Sequence, residues 1–409
     1  MPIDTREELI NALHEACEIE HGLLVQYLYT ALSLKKSLDE GLSTRQQRLV
    51  RDWEMDILLI AREEMGHLAI VCNLLAAIGA PAKFDRPPMP RKIDYYPFPF
   101  DLVPFGDEAL YRFLVFELPR GMPKPPPPGA DLSPTPMAAR AALAPEPIDF
   151  KFIGELYAQI ADGFRAIPEE VLFIGPPEAQ TDDNWSDNVL DIEAVTNRRQ
   201  ALHAIENIIE DGEGTPADRT SSHYNRFMRI RQRYFDEGRF AAARNLPINP
   251  ATLKNAKASG QVVLITHPTT LAVAELFNSV YGLMLLLLQV YFSMAPLARD
   301  RANATVREQL RLSSQRLMSI ALRPIGEELT KLPLGADGGP QRGGPPFEIY
   351  SEISVPPYAS ARWKIIVERF DVIIAECAVL SADVVRLGPI GETLEIIKRD
   401  FVAATMESA

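Results

Sequence analysis

Cysteine is scarce in this chain. Only Cys17, Cys72 and Cys377 occur among 409 residues, far apart and without a Cys-x-x-Cys spacing. This spacing leaves no redox or zinc motif to follow, and reduced, buried thiols are the expectation. There is also no dense run of lysine or arginine, and the formal net charge is −13. Both facts argue against a nucleic-acid backbone or an anionic membrane as partner. The first residues, Met1-Pro2-Ile3-Asp4-Thr5, lack the basic start and apolar run of a signal peptide, so a cytoplasmic location is expected. No Gly-x-Gly-x-x-Gly opens a helix after a strand, and neither a P-loop nor a Gly-x-Ser-x-Gly elbow is present. Phosphate-cradling loops and elbow-type serine hydrolysis therefore lack support.

What the chain does have is apolar residues, 47% of the total, and long segments of helical period. The fold class read from them is mainly α, a four-helix bundle in 1–245 with a long Pro-rich insertion at 86–148 and an accessory helical domain in 246–409. The first helix is expected from about 5 to 36 and the second from about 43 to 79. A short loop joins them into an antiparallel hairpin. A helix at 149–166, a third long helix at 191–210 and a fourth starting near His223 complete the first half. A break is expected at Asp211-Gly212-Glu213-Gly214. In the second half, 271–295 is long enough to span a membrane. Glu275, Asn278 and Gln289 punctuate it, so a buried core helix is expected. A helix over 301–332 should be kinked by Pro324, and two last helices are expected at 359–386 and 390–404.

The stretch that organises these helices is Arg62-Glu63-Glu64-Met65-Gly66-His67-Leu68. Glu-x-x-His by itself is a weak signal. Its placement is more informative: on a wheel of about 100° per residue, Trp53, Ile57, Ile60, Val71, Leu75 and Ile78 fall within roughly 40° of Glu64. Glu20 is likewise central to the apolar stripe of the first helix, whereas Glu18 points roughly opposite, toward solvent. Buried carboxylates and imidazoles need partners, because unpaired burial costs several kcal/mol, on the order of 2–7 for a polar group and more for a charge. Glu206, Glu210 and Glu213 lie at or near the apolar side of the third helix, and His223 sits on the apolar face of the fourth. Acids and imidazoles projecting inward from four helices are the recipe of carboxylate-bridged metal sites. Carboxylate oxygen suits hard iron or manganese, and imidazole completes the shell. The alternative is a buried network in which the acids pair with arginines such as Arg62, Arg198, Arg199 or Arg226, or with the histidines themselves. Three residues before His223 stands Thr220, so the second half of the site lacks a regular Glu-x-x-His. Glu213 replaces the missing acid only if Gly212 turns it toward His223.

Several segments in one order carry a resemblance. They are Glu18-Ile19-Glu20-His21 with Gln26-Tyr27-Leu28-Tyr29, then Ala61 to Leu68 with Asn73 to Gly79, then Phe152-Ile153-Gly154-Glu155-Leu156-Tyr157. Asp211-Gly212-Glu213-Gly214 and Ser222-His223-Tyr224-Asn225-Arg226-Phe227 follow, with Leu322-Arg323-Pro324-Ile325-Gly326 and Gly344-Pro345-Pro346-Phe347-Glu348 in the second half. In these the chain resembles the ferritin-like family that includes iminophenylpyruvate dimer synthase, whose bacterial members occur in bisindole pigment pathways such as those to violacein and rebeccamycin. The resemblance implies a metal site with Glu20, Glu64, His67, Glu213 and His223 as ligands, and Glu210 and then Glu206 as the next candidates. It implies mono- or dinuclear iron, with manganese as the other candidate metal. The activity it implies is oxidation of a small organic substrate, an amino-acid-derived imine being one version. A metal-binding protein without turnover, or a helical interaction module with a buried acid and imidazole network, are the rival readings. No nucleic-acid or membrane partner is expected, and a homo-oligomer stays open.

Overall fold

The computed structural model describes residues 2–133, 153–182, 185, 192–214, 220–253, 261–296 and 300–406. The insertion beyond 133 and the first residues of the helix expected at 149–166 lie outside them, and the helix expected from 191 begins instead at Arg198, where Asn197 caps it. Helix α1 (Arg6–Ser33) starts where Thr5 caps it: the hydroxyl accepts from the Glu8 N–H, and the Glu8 carboxylate accepts from the Thr5 N–H at 3.0 Å. The same device, Ser43 with Gln46, opens α2 (Thr44–Ala77). Between them Gly41, at φ 83°, closes the turn in a conformation that favours glycine. The two helices pack along their lengths as the expected hairpin.

After α2 the chain wraps the hairpin in extended segments before α3 (Asp107–Phe116). Helix α4 (Ile153–Ala166) lies on α1, and α5 (Arg198–Glu213) packs against α2 and α4. Helix α6 (His223–Asp236) packs against α2, α3 and α5. The expected break at Gly212 does not occur. Helix α5 runs through it to Glu213, and Gly214, at φ 78°, is the residue that ends it. The loop before α5 is anchored at Gly175, whose N–H donates to the Ala77 carbonyl at 3.0 Å. A Cβ there would lie 1.6 Å from the Ala76 carbonyl oxygen. Gly175→Ala is therefore expected to lower stability by about 1–3 kcal/mol through overpacking, read as a lower urea midpoint with an unchanged slope.

Helix α7 (Pro268–Phe292) is the one described helix long and apolar enough to cross a membrane by length and composition. Most of it is buried inside the protein, against α8 (Arg301–Arg316) and α10 (Ala359–Leu380) among others. The kink expected from Pro324 takes a specific form. A π-helical stretch, Leu317–Leu322, leads into α9 (Arg323–Leu329), because a proline at 324 offers no N–H to the preceding turn. Helix α11 (Leu387–Met406) closes the second half against α8 and α10. Strand is limited, among the described residues, to Pro250–Ala251 pairing in parallel with Val263–Leu264, beside a few isolated bridges. The buried apolar side chains of both halves form one continuous cluster.

Candidate metal centre

The hairpin sets Glu20 and Glu64 at the same height, near the middle of α1 and α2. One turn on from Glu64, His67 points to the same place. Its Nδ1 lies 3.3 Å from Glu64 Oε2 and 3.7 Å from Glu20 Oε2. Helix α6 begins beside them, and His223, in its first turn, places Nδ1 2.9 Å from Glu64 Oε1. The fifth group is Glu117, the residue that caps the C-terminus of α3, with Oε2 3.6 Å from the same His223 Nδ1. All five residues are at most 5% exposed.

Two compact groups result, Glu20–Glu64–His67 and Glu64–Glu117–His223. Within each, one ligand atom per residue lies within 4.8 Å of the others. Glu64 belongs to both, one oxygen toward each imidazole. The rest repeats on either side of it. Each outer carboxylate accepts from a buried phenol: Tyr157 donates to Glu20, and Tyr27 donates to Glu117. Each imidazole keeps Nδ1 toward the centre and turns Nε2 outward to a carboxylate. For His67 that is Asp211 at 3.3 Å, and for His223 it is Glu63 at 3.0 Å. An outer carboxylate on the far nitrogen fixes ring orientation and raises ligand basicity, the usual support of a ligating histidine. Glu63 is held in turn by Arg226, on α6.

The electrostatics are those of a crowded, dry site. Burial first, and then the Glu64 charge, push the Glu20 carboxyl up to about 7. Burial alone would lower both imidazoles. Hydrogen bonds to Asp211, Glu20 and Glu64 prevail at His67, and the charge of Glu64 with contacts to Glu117 and Glu63 prevails at His223, so both stand well above the usual histidine range. Burial would raise Glu64, and Glu117 adds to that, but His223 and His67 hold it below its ordinary value.

Of the buried network that the sequence left open, the pairing of these acids with the histidines is present, and the pairing with arginine is not. No lysine or arginine ion pair reaches Glu20, Glu64 or Glu117 among the described residues. Among the described residues, two atoms at the centre have no hydrogen-bond partner, Glu20 Oε2 and His223 Nδ1. The second sits 2.9 Å from Glu64 Oε1, within reach but off the line a hydrogen bond needs. Unpartnered carboxylate and imidazole atoms that converge on one point are what a cation would satisfy by displacing the protons there, so the donor set fits a bound metal. Beside the cluster is a cavity of about 20 Å³, lined in part by Leu23, Gly154, Gly212 and Glu213. That is room for roughly one water or another molecule of similar size.

Of the residues expected at the site, Glu20, Glu64, His67 and His223 come together. Glu213 lines the cavity but stands outside both groups; its Oε2 accepts from the Arg120 N–H at 3.1 Å. Glu210 and Glu206 are exposed on α5 and do not approach the cluster. The acid opposite His223 is Glu117, which lies in the segment after the hairpin and was not among the expected ligands. Its signal was present: a single carboxylate in the apolar run Leu114-Val115-Phe116-Glu117-Leu118. Glu18 departs from expectation too. It does not face open solvent but pairs with Lys83 at 2.5 Å and Arg91 at 2.6 Å, tying the extended segment after α2 to α1.

The fold and this cluster define a class, the helical bundles whose facing helices project carboxylates and imidazoles inward. The chain belongs to the ferritin-like family, whose model matches residues 13–232. It is 28% identical to dichlorochromopyrrolate synthase of Lentzea aerocolonigenes over 94% of this chain. It is 26% identical to 2-imino-3-(indol-3-yl)propanoate dimerase of Chromobacterium violaceum over 84% of this chain. Both relatives fit the resemblance drawn from the sequence. The chain spans only 40% and 34% of the lengths of these two proteins. A crystal structure of a ferritin-like protein from Caulobacter vibrioides aligns with a TM-score of 0.46 at 19% identity, over 82% of this chain and 98% of that one.

Proposed function

We propose that the chain is a metal-dependent oxidoreductase acting on a small organic substrate, with a dinuclear site for iron or, as the alternative metal, manganese. The observation that carries this reading is Glu64, a buried carboxylate shared between two Glu/His groups. A lone ion would need only one of them. Glu20 and His67 would serve one ion, Glu117 and His223 the other, and Glu64 would bridge. A bound pair of redox-active ions supplies electron transfer between an oxidant and an organic substrate.

The chain's own residues set the conditions for that chemistry. Tyr157 and Tyr27 each occupy one oxygen of an outer carboxylate and so leave the other aimed at the centre. Asp211 and Glu63 hold the Nε2 protons of the imidazoles and leave Nδ1 for coordination. The cavity has room for a molecule of about diatomic size. Any larger substrate requires the start of α4, where Ile153 and Gly154 form part of the wall, to shift. A substrate of the amino-acid-derived imine class is supported by the relatives, one of which is named for dimerising an indolyl imino acid.

Metal analysis of protein purified without chelator tests the reading. Two iron or manganese ions per chain are expected, with dioxygen uptake when imines generated from aromatic amino acids are added. Absence of both metals would overturn it, and metal without uptake would favour binding without turnover. The phenols give a separate expectation. Tyr157→Phe and Tyr27→Phe should each weaken metal affinity about 10–100-fold, as loss of a group supporting a ligand does, without unfolding the chain. Competition with a chromophoric chelator measures this.

A further inference from the structure

A larger hollow lies elsewhere in the molecule. Between the outer face of the α1–α2 hairpin and the second half is a groove of about 850 Å³, within the range of small-molecule sites. Its floor on α1 runs from Leu24 through Leu28 to Leu32, about 12 Å of helix, and continues beyond the helix end to Lys35 and Lys36. The facing wall is the π-helical stretch of the second half, through Met318 and Leu322. Such stretches are frequent at functional positions. The groove shares no lining residue with the cavity at the metal centre.

Its chemistry is graded along its length. At the hairpin-turn end stand Lys35, Lys36, Arg51 and Arg323, with Glu54 as the acid among the lining residues. Lys36 and Arg323 both contact Glu54, at 2.7 Å and 3.3 Å, which places them together. Their charge is met by Glu54 and Glu327, whereas Lys35 and Arg51 make no ion pair among the described residues. This is a local excess of positive charge on a chain whose net charge is −13. Away from that end the lining is mainly aliphatic, thioether and aromatic, with Arg62 as a further cation. Met55 is left 57% exposed and Leu59 42% exposed. Methionines adapt to varied apolar shapes, which suits a binding surface.

We propose that this groove binds an amphipathic carboxylate, its head at Lys35 and Arg51 and its apolar body laid along α1 toward Leu24. The complementarity is of two kinds, an unbalanced cationic end for one negative charge and an elongated apolar trough for a chain. The site depends on neither the metal centre nor the oxidoreductase reading. Its floor is nonetheless the back of the two helices that carry Glu20 and Glu64, with Ala61 and Met65 flanking Glu64 in sequence.

Calorimetric titration of the full chain, treated with chelator, against monomeric dodecanoate tests the proposal. One saturable site per chain is expected, with at least tenfold weaker binding of dodecanol and of dodecyltrimethylammonium. Arg51→Glu reverses charge at an exposed residue, and Met55→Trp fills the mouth at another. Each should weaken dodecanoate binding at least tenfold while leaving the thermal midpoint and the metal content unchanged. Absence of saturable heat would overturn the proposal, as would equal binding of the cationic amphiphile or unaltered binding by both folded variants.

Discussion

Glu64→Ala is expected to remove both metal ions, from two per chain to fewer than 0.2, roughly a tenfold loss or more. Glu117→Ala is expected to leave about one. The difference follows from geometry. Glu117 approaches His223 alone, whereas Glu64 sends Oε1 to His223 and Oε2 toward His67. Removing Glu64 also strips each buried imidazolium of a close carboxylate, so the metal-free variant should lose stability on the order of 3–5 kcal/mol. Glu64→Gln separates the two effects. It keeps the volume and one acceptor oxygen, so it should fold better than the alanine variant yet still lose the bridge. Elemental analysis of gel-filtered protein reads the metal, and urea unfolding reads the stability. Two ions retained in a folded Glu64→Gln protein would show that Glu64 is not shared between them.

The half of the centre built on the hairpin was legible in the sequence for a physical reason. Helical period makes an inward-facing acid conspicuous when it sits at mid-helix among apolar neighbours, as Glu20 and Glu64 do, and a short loop brings two such positions to one height. His67 follows from its i, i+3 spacing to Glu64. The other half obeyed no such rule. Glu117 is not within a long helix but at the end of a ten-residue one, at φ −93° and ψ 14°, where the chain leaves the helix. A carboxylate at a helix end is aimed by backbone geometry and tertiary packing, which no wheel represents.

The acids of α5 show the converse error. Glu206, Glu210 and Glu213 looked suitable because their helix is amphipathic and carries acids near its apolar side. Yet α5 meets α2 and α4 through Ala201, Ile205 and Ile208, leaving Glu206 and Glu210 exposed. What α5 contributes is one residue further on. Asp211 reaches His67 from outside, a supporting role rather than a direct one. Glu18 was misplaced for a related reason. The wheel gave its direction away from the Glu20 stripe correctly, but the segment after α2 folds back over that face and supplies Lys83 and Arg91. Periodicity reports which face is apolar; it does not report what later covers the polar one.

The metal-free and metal-loaded chains are expected to respond to pH in opposite directions. Without metal, Glu20 is held at about 7, and His67 and His223 stand well above the ordinary histidine range. In the unfolded chain these groups return to roughly 4.3 and 6.5. The folded, metal-free chain therefore binds more protons than the unfolded one from mild acid upward, and by linkage its stability falls as pH rises. The imidazole contribution is fully present below about 6.5 and is lost as pH climbs through the folded values. The Glu20 carboxyl adds a penalty that grows from about pH 4.3 and levels off above 7. Glu63, Glu64 and Asp211, whose folded values are lowered, contribute in the other sense, but that contribution is lost only in acid below the usual carboxylate range. Metal reverses the slope, because coordination requires Glu20, His67 and His223 to give up those protons. Apparent affinity should rise up to about tenfold per pH unit for each proton displaced. Thermal melts with chelator should thus show a midpoint that declines from pH 5.5 to 8.5, and melts with excess ferrous or manganous ion should show one that rises. Parallel slopes in the two series would show that the buried imidazoles and Glu20 are not the groups that exchange protons for metal.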